Sequence, residues 1–157
     1  WIPSPLPAVY SGEKMKPYRQ WLSAESYEAK ASIGGSFVPT RIEDYYLTPW
    51  DMGYGSFIDF EHEFIGREAL RSLAKGPHRK KVTLALENED VLKVIASQLQ
   101  KAGRGKFMEF PSAVYPMHPY EKDTAEGKTD GISTWVGYSA NEGRMPTIAA
   151  VSPKSSA

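Results

Sequence analysis

The residues able to do metal, nucleophile or acid–base chemistry are few in this sequence and poorly spaced for it. His62, His78 and His118 stand far apart, and none has the i, i+4 histidine or paired carboxylate that puts two ligands on one helix face, so no metal site is expected. With no cysteine there is no thiolate ligand, thiol nucleophile or disulfide. There is no Gly-x-Ser-x-Gly elbow, and no glycine-rich loop opens a helix after a strand, which leaves phosphate cradles without a candidate. Gly103-Arg104-Gly105-Lys106 has the composition to touch an anion but reads first as a solvated turn. What remains is the chemistry of surfaces. Tyr45, Tyr46, Trp50 and Tyr54 crowd one stretch, and such rings serve either as packing, the favoured reading, or as stacking surface for a ligand. Asp51 in their midst is read as a cap of the turn.

These residues need elements to hold them. Prolines 3, 5 and 7 make residues 1–10 an extended connector. Ser11 is placed to cap a helix over 13–22, with Glu13 at its positive end and Pro17 kinking or shortening it. Small and alternating residues over 27–38, leading into Gly34-Gly35 and ending at Pro39, read as a strand with a turn. A strand over 56–60 and a short helix over 66–73, with Ala69, Leu70 and Leu73 on one face, follow. The breaker pair Gly76-Pro77 and the cationic run His78-Arg79-Lys80-Lys81 mark a domain boundary. Beyond it, 82–86, 113–115, 132–138 and 147–151 read as strands and 91–100 as a helix. The expected fold class is therefore α+β: one unit over 1–76, a small β-barrel-like or sandwich unit over 77–151 with an edge left open, and a polar tail over 152–157.

Nineteen basic and nineteen acidic side chains cancel within the 157 residues, which removes the long-range field that draws proteins to nucleic acid or anionic membranes. No apolar run approaches the roughly 20 residues that span a bilayer, and no charged-then-apolar leader opens the chain. The expectation is a cytoplasmic protein without nucleic-acid or membrane partners. A start at Trp1 rather than methionine reads as an internal segment.

One stretch is more specific. Thr48-Pro49-Trp50-Asp51-Met52-Gly53-Tyr54-Gly55, followed by Phe64-Ile65-Gly66-Arg67-Glu68-Ala69-Leu70, resembles the aminomethyltransferase family of the glycine cleavage system and its relatives. Those carry Thr-Pro-x-[Glu/Asp]-x-Gly-x-Gly and then Phe-Ile-Gly-Arg-Glu-Ala-Leu. Arg79 to Leu86, Ser112 to Tyr115 and Gly137 to Ser139 resemble strands of that family's C-terminal domain. Within the superfamily, residues 1–10, 45–50 and 115–120 are most similar to tetrahydrofolate-dependent aryl O-demethylases acting on vanillate or syringate. The resemblance implies a folate-binding aminomethyltransferase-like region ending near residue 76, an incomplete C-terminal domain after it, and a missing N-terminal domain of the same protein as partner. It implies tetrahydrofolate as cofactor, a methoxy-aromatic substrate, and methyl transfer to N5. Glycine-cleavage-type aminomethyl transfer, or folate binding without catalysis, are the alternatives within the same fold.

By position in the motifs, Glu28, Trp50 and Tyr54 are the cofactor-binding candidates. Glu28 falls in Ser26-Tyr27-Glu28-Ala29, an echo of the family's Leu-Arg-Leu-Glu-Ala-Gly in which Ser26 replaces the arginine; Ser56 stands where a tryptophan is frequent. Read from residue type alone, Glu28 is a solvated or capping carboxylate. Arg67 is expected to be a structural ion-pair partner. The resemblance places the catalytic groups upstream of Trp1, so no catalytic residue and no turnover are expected from this chain alone.

Overall fold

The computed structural model describes residues 13–30, 33–108 and 118–155. Residues 1–10, Ser11 and the strand expected at 113–115 lie outside them. The described chain begins with a 3-10 turn, Glu13–Met15, running into helix α1, Lys16–Trp21. The helix anticipated over 13–22 is there, but Pro17 acts differently. It sits in the first turn of α1, where a missing N–H costs no intrahelical bond, so it begins the helix instead of kinking it.

The strand expected over 27–38 does not form as such. Ser26 accepts the Ala29 N–H at 3.2 Å, capping a single helical turn, α2, Tyr27–Lys30. Only Ile33–Gly34 is extended, as β1. The strand expected over 56–60 is also replaced, by a 3-10 turn, Gly55–Phe57, and irregular chain. The Phe60 carbonyl is taken by side chains, not by a neighbouring strand: Arg67 Nε donates to it at 2.9 Å and Arg71 Nη2 at 3.2 Å. Arg71 also lies 5.6 Å over the Phe60 ring. Both arginines stand on α3, Arg67–Leu73, which starts after Gly66 at φ 91, a left-handed turn that favours glycine. Arg67, ion-paired also to Glu63, is structural, as its sequence context suggests.

The remaining elements are β2 (Lys80–Ala85), α4 (Asn88–Ser97), β3 (His118–Pro119), β4 (Glu121–Ala125), β5 (Lys128–Val136) and β6 (Pro146–Val151). β1 and β3 pair in parallel, while the other four form an antiparallel sheet in the order β2-β6-β5-β4. The β-barrel-like expectation is corrected to an open sheet. β2 and β4 end the order with one partner each, and four strands are too few to close around a core. β4 escapes a pattern reading because it is an edge strand rich in charge. It reaches β5 through Glu126-Gly127, whose φ of 52 and 76 are both positive, the backbone of a tight two-residue hairpin turn. In the tail, Ser152 donates to the Asp130 side chain at 2.6 Å before a last 3-10 turn, Pro153–Ser155.

The principal core joins Leu22, Ala29, Ile33, Phe37, Ile42 and Tyr45 to Ile132 of β5, with Tyr18, Tyr46 and Tyr120 packed around it. Residues on both sides of position 76 thus share one apolar cluster. Glu121 strengthens the link, accepting the Ser36 hydroxyl at 2.6 Å and its N–H at 2.9 Å while pairing with Lys106.

Two carboxylates on β4 respond oppositely to burial. Loss of hydration raises the Glu121 pKa, but the Lys106 ammonium and the two Ser36 donors outweigh it and the net shift is downward. Asp123 also loses hydration, with only the Ser133 hydroxyl in return; Asp130 and Glu121 repel it, and its pKa is raised. Its Oδ2 is buried and unpartnered among the described residues. A lowered carboxylate stabilises the fold above its unfolded pKa, and that contribution disappears as pH falls through the folded value. A raised one makes stability fall as pH climbs from the unfolded through the folded value. Glu121→Gln is therefore expected to lower the urea midpoint of the full-length protein at neutral pH and Asp123→Asn to raise it. Each change should be under about 1 kcal/mol, since both groups are partly screened by water. Both differences should shrink in acid, and two changes of the same sign would contradict the account.

Candidate functional site

The loop over 48–55 is built around one carboxylate. Asp51 is only 8% exposed. Its Oδ2 accepts the Thr48 N–H at 2.8 Å and the Thr48 hydroxyl at 2.9 Å, while its Oδ1 accepts the Arg79 N–H at 2.9 Å. The first pair closes the turn, as the local sequence suggests. The third ties it to the residue preceding β2. Backbone bonds from Met52 to Thr48, from Gly53 to Trp50 and from Tyr54 to Pro49 complete the loop.

This closure sets the aromatic side chains. Trp50 is stacked on His78, with centroids 4.6 Å apart and planes 13° from parallel. The indole lies so close to Gly55 that a Cβ there would be 2.3 Å from Trp50 Cδ1. Tyr54 points outward, 51% exposed, beside Phe57, which is 80% exposed; their ring centroids are 6.3 Å apart. Lys81 places its ammonium 5.7 Å from the Tyr54 centroid. The arrangement offers aromatic faces and a cation.

Of the three candidates, Trp50 and Tyr54 are therefore on one loop, and Glu28 is on a separate element. Glu28 lies in the first turn of α2, exposed, and accepts the Tyr18 hydroxyl at 2.5 Å. Tyr45, by contrast, is core: it is 1% exposed, edge-on to Phe37 at 5.8 Å, and burial followed by the nearby Glu25 charge raises its pKa. Lys81 and Phe57 are not candidates on sequence, and His78 is weighed there only as a metal ligand. The run 78–81 carried a signal, its charge, but the tertiary contact with the loop is what gives that charge a location.

The weaker sequence candidates resolve as structure. In the glycine-arginine turn after α4, Gly105 donates to Ser97 Oγ at 2.8 Å, Arg104 to the Gln100 carbonyl at 2.6 Å, and Lys106 pairs with Glu121. His62 lies 3.7 Å from Asp59 on the surface, and among the described residues no group of His, Asp or Glu is arranged to hold a metal ion. Nor is any helix among the described residues long and apolar enough to cross a membrane.

No family model matches the sequence. Individual proteins do. The chain is 54% identical over 154 residues to the syringate O-demethylase of Sphingobium sp. (strain NBRC 103272 / SYK-6), covering 98% of this chain and 33% of that protein. It is 32% identical over 142 residues to the sesamin methylene transferase of Sinomonas sp. (strain No.22), covering 83% of this chain and 31% of that protein. The chain thus spans about a third of the length of the curated relatives it matches. Identity of this level along nearly its whole length makes the chain a relative of the O-demethylases, equivalent to about one third of such a protein.

Proposed function

We propose that the chain is the C-terminal part of a tetrahydrofolate-dependent aryl O-demethylase that moves a methyl group from a syringate- or vanillate-like methoxy aromatic to N5 of tetrahydrofolate. The carrying observation is the 54% identity to syringate O-demethylase. In this reading residues 1–76 end the folate-binding region and 77–151 belong to the C-terminal domain, in a cytoplasmic protein whose N-terminal part completes the site.

The exposed aromatic face of Tyr54 and Phe57 suits a cofactor made of flat rings. Tetrahydrofolate supplies the nitrogen that accepts the methyl group. Trp50 and Tyr54 provide aromatic wall, and Glu28 provides a carboxylate to receive amide and amino protons of the pterin. As the aryl oxygen–methyl bond breaks, the leaving phenolate must gain a proton. The acid that gives it is assigned to the part of the relatives outside this chain. This chain's role is to bind and orient, and the isolated chain is expected to give no turnover.

The full-length protein incubated with tetrahydrofolate and syringate is expected to yield demethylated phenol and methylated folate in equal amounts, measured by chromatography and mass spectrometry. Folate binding without conversion would favour a non-catalytic binding module, and absence of folate binding would sink the proposal. Sesamin belongs in the same assay, because the 32% identity to a methylene transferase favours a second reading in which the one-carbon unit leaves a different donor. By calorimetry, Trp50→Ala and Tyr54→Ala should each weaken tetrahydrofolate binding about three- to tenfold, the worth of one aromatic contact. Glu28→Gln should also weaken it. Asp51→Ala should lower stability by about 1–3 kcal/mol, because the Thr48 and Arg79 donors lose a buried acceptor.

A further inference from the structure

Among the described residues Lys81 has no carboxylate within 4.0 Å. Yet its position is built. Its aliphatic stem passes over Gly53, where an added Cβ would lie 3.1 Å from Lys81 Cδ and 3.5 Å from Lys81 Cβ. Gly53 itself has φ 77, a conformation side chains rarely adopt, so the backbone keeps the groove free. The ammonium then rests 5.7 Å from the Tyr54 ring centroid, attracted by the face of that ring. A glycine beneath the stem and an aromatic beneath the charge leave the ammonium's hydrogen bonds available to a guest.

We propose that Lys81 is an anion-recognition residue whose ammonium pairs with the carboxylate of an aromatic acid lying against Tyr54 and Phe57. This rests on the reading of Tyr54 as a ligand contact. The required ligand has a flat ring and a carboxylate. A methoxy-aromatic acid has both, and so does the benzoylglutamate end of a folate. A cation on edge strand β2 also has a plain alternative role, keeping other strands from pairing there.

Calorimetry on the full-length protein separates these possibilities with two ligand pairs: syringate against its methyl ester, and tetrahydrofolate against the dimethyl ester of its glutamate. Lys81→Met keeps the stem and removes the charge. It is expected to weaken the carboxylate member of one pair by about tenfold or more, as for a lost charge-assisted hydrogen bond. The uncharged partner of that pair should be unaffected, and Lys81→Arg should recover most of the loss. The pair that responds identifies the acid. Unchanged affinities in Lys81→Met, with weakened ones in Tyr54→Ala, would overturn the role of Lys81 and leave the aromatic reading standing. Unchanged affinities in both variants would remove the aromatic reading as well. Equal losses for a carboxylate ligand and its uncharged partner would make Lys81 structural, and new self-association with normal binding would assign it to edge protection.

Discussion

The candidate site depends on a single buried carboxylate. Asp51 shares its two oxygens between its own turn and the backbone of Arg79. A buried ionised group is tolerated only when its lone pairs are used, and here the donors that use them come from two distant stretches of chain. Satisfying Asp51 therefore does more than close a turn. It fixes the start of β2 beside residues 48–55, and from that contact follow the Trp50–His78 stack and the approach of Lys81 to Tyr54.

A similar economy holds elsewhere. Glu121 is satisfied only because Ser36 and Lys106 converge on it, and the Phe60 carbonyl only because two arginines of α3 reach back to it. Each polar anchor joins segments that local sequence patterns treat separately. Apolar packing runs along the same seam, since Ile132 of the sheet is buried among residues 22–45. The open sheet gains from this arrangement: its β5 strand has a cover on one face even though the sheet does not close on itself.

The proposed division of labour fits these features. Tyr54 and Phe57 expose large aromatic areas that a packed core would have absorbed, while Tyr45, equally aromatic, is almost wholly buried. Composition could not tell these rings apart. The difference arises from neighbours, because Phe37 and Tyr120 enclose Tyr45, whereas Tyr54 sits on an outward turn of the Asp51 loop. The role proposed for this surface is to orient a ligand.

Local signals carried the elements whose stability is local. The helix at 67–73 was legible from its apolar spacing and preceding glycine, and β2, β5 and β6 from their alternation and branched residues. The Asp51 cap was legible because its partner Thr48 is three residues away. Trp50 and Tyr54 were legible as part of an aromatic cluster for which packing was the favoured reading, and the motif around them as a mark of kinship. Where the pattern reading failed, long-range or side-chain bonds decided. Ser26 turned an expected strand into a helical turn, Arg67 and Arg71 claimed a carbonyl that a strand would have paired, and the charged edge strand β4 was defined by β5 alone. Sequence by itself determined the kinship with the O-demethylases, the α+β mixture and the aromatic loop, since these rest on residue type and short spacing. Only the tertiary structure decided the strand order of the sheet, that Tyr45 is core while Tyr54 is surface, and that Lys81 faces the loop. Those outcomes depend on which distant donors satisfy Asp51 and which distant side chains exclude water, and neither is encoded in any single window of the chain.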